Sequence, residues 1–532
     1  MIDLILYNGK IYTQSNPPFV SALAIVGERI VAIGDDDHML ALAGAHTRRE
    51  NLGGRTVLMG LTDAHVHLEQ LARSLNSVDL FEVPSRAEAV ARVERFADGV
   101  PAGKWITGWG WAQGLWDGRE FPTAQELDAV VPQHPCYLIA KSAHAAWVNS
   151  LALRACGITA ETPDPEGGQI VRDADGQPTG VLLETAMHLV RQHIPEPSAD
   201  ELADAIGQAH QLMLASGLTG VHDFDNPSCL VALQRLREQG ELHLRVLKQV
   251  NRQWIHATVE AGIRSGFGDD WLRIGNLKMF ADGALGAKTA LMVEPYLGEP
   301  DNVGIEVLSV EEMTEYASFA SANGFASTIH AIGDRAVHHV LNVFDVVRAQ
   351  ERARGETTLK RHRIEHLQII HPNDKDRLRD LQLIASMQPI HATSDWQVAD
   401  RYWGTERTMW AYNARLQLDL GVVCAFGSDA PIDPFNPFKG IHAAVTRQRD
   451  SKPEGGWHPE LRLTLAEALH GFSLGAAYAA GMETRLGKLD VGYLADLVVL
   501  DADIFTLAPE ALDTVKPVAT MVGGVWRYGG VG

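Results

Sequence analysis

Two histidines separated by one residue, in Asp63-Ala64-His65-Val66-His67, are the first place where this sequence could do chemistry. Side chains two apart in an extended chain point to the same side, so both imidazoles can face one cation. Alone, His-x-His is weak evidence, and an incidental polar pair is the commoner origin. The theme recurs, however. His330 ends the run Ala326-Ser327-Thr328-Ile329, His366 ends Arg363-Ile364-Glu365, and Val422-Val423-Cys424-Ala425-Phe426 leads into Gly427-Ser428-Asp429-Ala430-Pro431. Any one of these reads as a satisfied core histidine or a helix-capping aspartate. Together, at successive strand ends, they read as a single metal centre at the carboxyl face of a barrel. Lys278 follows Leu272-Arg273-Ile274-Gly275-Asn276-Leu277 and also sits near a strand end, where it could serve the site, anchor an anion or face solvent.

Around this set stand residues of less specific meaning. Trp109, Trp111, His144 and the segment Ser386-Met387-Gln388-Pro389-Ile390-His391 are candidates for a substrate pocket wall, although tryptophans are more often core. Glu365 could orient a metal ligand from behind or pair with Arg363. His222 and Asp223, after Gly217-Leu218-Thr219-Gly220, end another expected strand with an open role.

Side chains scattered this widely must be gathered by a repeating framework. Ser309-x-x-Glu312 reads as a capping box, followed by Met313, Tyr316, Ala317 and Ala320 at helical spacing, with Gly324 closing the helix. A strand over Phe325 to Ile329 then delivers His330. Asp334 can cap a further helix with Val337, Val340, Leu341, Phe344 and Val347 as its apolar face. This is one step of alternating strand and helix.

The expected fold is α/β: a (β/α)8 TIM barrel with a small β-sandwich domain built from both termini and an insertion after the first barrel strand. Residues 1–55 and 485–532 are short β-rich runs broken at Asn-Gly and Gly-Glu, too few at either end to be stable alone, so they should combine. Residues 56–484 form the barrel, with Val57-Leu58-Met59-Gly60-Leu61 as the strand that leads to His65. The insertion, at about 80–210, holds Trp105, Trp109, Trp111 and Trp116 and the turn-rich Thr162-Pro163-Asp164-Pro165-Glu166-Gly167-Gly168.

The chain of 532 residues is large enough to bury such a core. Its 46 Lys and Arg against 67 Asp and Glu leave a formal charge of -21, which repels phosphate backbones and anionic lipid and argues against nucleic acid and membrane partners. The amino terminus has no basic segment followed by an apolar one, and a cytoplasmic location is expected. Cys136, Cys156, Cys229 and Cys424 are far apart, without a CxxC pair, and read as reduced thiols.

The ordered set of motifs resembles the amidohydrolase superfamily, amidohydrolase family 3, in its branch around N-substituted formamide deformylase. The resemblance runs from Leu6-Tyr7-Asn8-Gly9-Lys10-Ile11 through Asp63-Ala64-His65-Val66-His67, Ser142-Ala143-His144-Ala145-Ala146-Trp147-Val148-Asn149-Ser150 and Lys278-Met279-Phe280-Ala281-Asp282-Gly283. It continues through Thr289-Ala290, His330-Ala331-Ile332-Gly333-Asp334, Glu365-His366 and Gly427-Ser428-Asp429-Ala430-Pro431 to Gly492-Tyr493-Leu494-Ala495-Asp496-Leu497-Val498-Val499-Leu500. It implies that His65, His67, Lys278, His330, His366 and Asp429 hold one or two divalent ions, zinc being the expected metal, with Lys278 carboxylated by CO2 to a bridging carbamate. His330 and His366 could instead contact substrate oxygen at a one-metal site.

The implied activity is hydrolysis of a non-peptide C–N bond of a small molecule (an amide or formamide) by metal-activated water, with Asp429 as the proton-transfer group. Ester, lactone or carbamate hydrolysis on the same site is the alternative, and a non-catalytic metal-binding scaffold is the other. His144, Trp109 and His391 are the expected substrate contacts, and a homo-oligomer is compatible with all of this.

Overall fold

Eight strands pair in parallel in chain order: Leu61–Val66 (β1), Leu218–Asp223 (β2), Arg245–Asn251 (β3), Leu272–Phe280 (β4), Ser327–Ala331 (β5), Arg363–His366 (β6), Ile384–Met387 (β7) and Cys424–Phe426 (β8). They belong to a computed structural model that describes residues 1–81, 83–142 and 144–531; Ala143, inside the Ser142–Ser150 motif, lies outside the described residues. Strands β2 and β5 to β8 are buried along their whole length, as strands of a parallel sheet covered on both faces are. The sheet closes where the backbone N–H of Asp429 donates to the His65 carbonyl at 2.8 Å and that of His67 donates to the Ala430 carbonyl at 2.9 Å. The resulting fold is the (β/α)8 barrel.

The chain forms two compact units, one of Met1–Glu69 with Ile206–Gly532 and the other of Gln70–Ala205. Within the first, strands from both ends of the chain share a six-stranded sheet, in which Leu497–Leu500 lies antiparallel to Thr56–Met59. Arg245 on β3 ties this sheet to the barrel through a buried bidentate pair with Asp496, at 2.6 and 2.9 Å.

The run Val57 to Leu61 is two strands: Thr56–Met59 belongs to the terminal sheet, and β1 starts at Leu61. The break falls at Gly60, where a Cβ would lie 2.2 Å from Thr219 Oγ1 on β2, so only glycine lets the chain pass from one sheet to the other.

The helix and strand step after Ser309 forms with its capping box, giving Val310–Ala322 (α1), Gly324 at φ +83°, and then β5. His330 lies inside β5 rather than beyond its end. Asp334 is the first residue of Asp334–Ala353 (α2) and not its cap; Gly333 occupies the cap position. The Asp334 carboxylate accepts from the N–H of Val293, in the loop between β4 and α1, at 2.7 Å and from that of Arg335 at 2.9 Å. Val337, Val340, Leu341, Phe344 and Val347 form the buried face of α2.

The second unit is built on a six-stranded sheet running from Gly168–Arg172 at one edge to Val78–Asp79 at the other. Its core holds Trp111, Trp116 and Trp147, with ring centroids 6.0 to 6.4 Å apart. Each indole N–H is satisfied by a backbone carbonyl, which makes burial of three such large rings affordable. Trp111 is therefore core rather than pocket wall. Among the described residues, no helix is long and apolar enough to cross a membrane.

Candidate metal centre

The end of β1 places His65 and His67 on the same side, and each has one ring nitrogen already committed to a carboxylate. His65 Nδ1 donates to Glu365 Oε2 at 2.6 Å, and His67 Nδ1 donates to Asp225 Oδ1 at 3.0 Å. That fixes both rings and leaves each Nε2 turned inward, where both lie 3.5 Å from Asp429 Oδ1. His391 meets the other oxygen: its Nε2 is 3.5 Å from Asp429 Oδ2, while its Nδ1 donates to Asp433 Oδ2 at 2.9 Å.

His366 donates from Nδ1 to Gln388 Oε1 at 2.9 Å, and its ring centroid lies 4.8 Å from that of His65 and 4.6 Å from that of His330. His330 is tied the other way round, by Nε2 to the Gly283 carbonyl at 2.8 Å, so its Nδ1 is the free donor atom. Two sets, His65 with His67 and Asp429, and His366 with His391 and Asp429, have donor atoms within 4.8 Å of one another. Oriented imidazoles with acceptors behind them and a shared carboxylate between them are the donor set a divalent ion takes, so these residues fit a metal.

The backbone that presents Asp429 is itself held. Asp63 accepts from the N–H of both His65 and Ser428 at 3.0 Å and from Ser428 Oγ at 2.5 Å, stapling the first strand end to the last. Asp429 then adopts φ +62°, a left-handed conformation that Asp tolerates better than most residues. Burial drives the Asp63 carboxyl up to about 7, against its hydrogen bonds. For Asp429 burial acts in the same upward sense, but hydrogen bonds from His391 and His67, helped by the neighbouring imidazoles of His65 and His366, outweigh it and hold it well below the usual range.

The histidines divide by environment. Burial lowers His65 and His366, and takes His330 down to about 3, so these rings are neutral and have a lone pair to offer. Burial acts the same way on His67 and His391, yet their paired carboxylates overcome it and raise them to about 9 and about 10. The site thus attracts positive charge to the nitrogens around Asp429.

Lys278, on β4, is buried, with its Nζ 4.8 Å from the Phe224 ring and 4.4 Å from the Phe280 ring. Among the described residues it has no carboxylate within 4 Å. Burial lowers its amine to about 8, ahead of the opposing charges of Glu365 and Asp429.

Glu365 performs both of its expected tasks at once: Oε2 receives His65, while Oε1 pairs with Arg363 at 2.8 Å and also accepts from Thr328 Oγ1. His222 lies behind this network, accepting from Arg363 Nη1 at 3.0 Å. His144 and Trp109 belong to the second unit. There His144 Nδ1 meets Glu184 Oε2 at 3.0 Å, and Trp109, 45% exposed, packs its ring on Phe81.

Three participants escaped the sequence reading: Asp63, Asp225 and Asp433. Asp63 opens the His-x-His motif and Asp225 closely follows His222-Asp223, but an aspartate at a strand end has many uses, and only the partner reveals which one applies.

Known proteins bear on this centre. The family described as Amidohydrolase family matches residues 49–528. The Arabidopsis thaliana protein LONG AFTER FAR-RED 3 is 33% identical over 99% of this chain and 91% of its own length, and N-substituted formamide deformylase of Arthrobacter pascens is 30% identical over 99% and 98%. Among solved structures, a metal-dependent hydrolase from Pyrococcus furiosus superposes with a TM-score of 0.78 at 30% identity, covering 95% of this chain and 99% of the other. Sequence and fold reach one conclusion by separate routes: this chain belongs to the amidohydrolase family, within the superfamily of metal-dependent hydrolases.

Proposed function

We propose that the protein hydrolyses a non-peptide C–N bond of a small amide or formamide, with zinc held by His65, His67, His330, His366, Asp429 and a carboxylated Lys278. The observation that carries the proposal is the double engagement of Asp429, one oxygen facing His65 and His67 and the other facing His391. The similarity to the formamide deformylase supports the choice of bond. When bound, the metal supplies a Lewis acid that polarises the scissile carbonyl and lowers the pKa of water.

The chain's own residues do the rest. Asp429 takes the proton from the attacking water and returns it to the departing nitrogen, which must leave as a neutral amine. Glu365 and Asp225 hold the first two imidazoles in register while this happens. His391, fixed by Asp433, contacts the substrate on the Oδ2 side of Asp429.

The test is a matched panel of amides, formamides and esters offered to zinc-loaded protein before and after chelation. Turnover of the amides or formamides that chelator abolishes and zinc restores is expected. Turnover of esters alone would replace the C–N assignment, and a loaded protein that hydrolyses nothing would leave a metal-binding scaffold.

A further inference from the structure

His222 and Asp223 end β2 without a part in the centre described above, and the loop that follows them carries a polar network of its own. Asp223, Asp225 and Cys229 bring three ligand-type atoms within 4.8 Å of one another, all buried. A cation is nonetheless already supplied there by the chain. Lys248 Nζ lies 2.8 Å from Asp223 Oδ2 and also donates to the Asp225 carbonyl. The pairing follows from register, since Lys248 on β3 stands directly beside Asp223 on β2. Asp223 and Lys248, at 0% and 2% exposure, neutralise each other where neither could be buried alone.

What this buried pair holds is the segment that carries His67. Asp223 Oδ1 accepts from the N–H of Leu68 at 2.8 Å, and Asp223 Oδ2 accepts from the N–H of Asp225 at 3.2 Å. Asp225 in turn accepts from the N–H of Glu69 through Oδ2 at 2.6 Å and from His67 Nδ1 through Oδ1 at 3.0 Å. The two residues after His67 are therefore stitched to the end of the neighbouring strand, and the imidazole is held by the same carboxylate that holds its backbone.

We propose that Asp225 is a positioning residue for His67, locked in place by the Asp223–Lys248 pair, and that it sets how tightly the centre binds metal. The proposal rests on the metal reading above. A carboxylate behind a ligating imidazole fixes the ring and raises the basicity of the nitrogen that faces the metal, and losing such a partner costs roughly 10- to 100-fold in metal affinity. The orientation is doubly determined, because Asp225 cannot shift without releasing Glu69 as well.

The experiment is Co²⁺ titration of apoprotein, read by visible absorbance and by competition with a chelator, for wild type, Asp225→Asn, Asp225→Ala and Lys248→Met, with the apoprotein Tm recorded for each. Asparagine keeps the volume and one acceptor, so it guards against simple misfolding. The expected result is weaker Co²⁺ binding by about 10- to 100-fold in Asp225→Ala, a smaller loss in Asp225→Asn, and an altered Co²⁺ spectrum in both. Lys248→Met should weaken binding in the same direction. Unchanged Co²⁺ affinity and spectrum in the folded Asp225 variants would overturn the positioning role while leaving the metal centre standing, as would a fall in Tm alone. Wild type that binds no Co²⁺ would overturn both readings.

Discussion

Asp429 meets His65 twice: its backbone N–H donates to the His65 carbonyl at 2.8 Å, and its Oδ1 lies 3.5 Å from the Nε2 of the same histidine. The first contact joins the last barrel strand to the first, and the second forms the centre. Closing the barrel and assembling the site are thus one event.

Asp429→Asn separates these two roles. Asparagine accepts the left-handed φ of +62° and leaves the backbone contact in place, but it cannot take a proton from water. Turnover should fall by roughly a thousand-fold, within the range attributed to general acid–base groups, while the Tm of the apoprotein changes little. Steady-state kinetics with metal content measured in parallel checks this; near-normal kcat in the loaded variant would remove Asp429 as the proton carrier.

Lys278 should report its own chemistry. Carbamate forms from the neutral amine, and burial places this amine at about 8, so raising the pH through that value increases the reactive form. Protein incubated with ¹³C-bicarbonate should show a carbamate resonance that grows from about pH 7 to about pH 9 and is missing in Lys278→Met. A spectrum without that resonance at any pH would leave Lys278 as a buried cation.

His210, on the helix Ala199–Ala215, makes an acid-labile point outside the set of metal-ligating residues. It is buried, neither ring nitrogen has a hydrogen-bond partner among the described residues, and burial lowers its pKa from 6.5 to about 3. Its folded pKa is depressed, so the unfolded chain binds the proton first as pH falls. The stability it permits is complete above about 6.5 and is lost progressively toward about 3. At about pH 5 the loss amounts to roughly 2 kcal/mol. His210→Leu should flatten the decline of Tm between about pH 7 and about pH 5; an identical slope in the variant would show that His210 protonates as readily folded as unfolded.

Gly60→Ala tests the junction between the terminal sheet and β1. The added methyl would meet Thr219 Oγ1 at 2.2 Å and Thr219 Cβ at 2.8 Å, so backbone has to move. The cost should be about 1 to 3 kcal/mol, seen as a lower Tm, and Thr219→Ala should recover part of it when combined. Equal Tm values for wild type and Gly60→Ala would mean that the two strands have room to part.

The order of residue types along the chain was enough to place His65, His67, Lys278, His330, His366 and Asp429 near the carboxyl ends of strands, because alternation within a strand and its β-forming composition are local properties. The same local signals placed the capping box at Ser309 and the buried face of Asp334–Ala353. What acts across the sheet was decided only by tertiary structure. The split at Gly60 depends on Thr219, the bond that Asp334 accepts from outside its helix depends on Val293, and the burial of Trp111 depends on Trp116 and Trp147. Asp63, Asp225 and Asp433 acquire their roles from Ser428, His67 and His391, partners supplied by other strands and loops. A carboxylate's function is set by the donor that reaches it, and that donor becomes a neighbour only when the barrel closes.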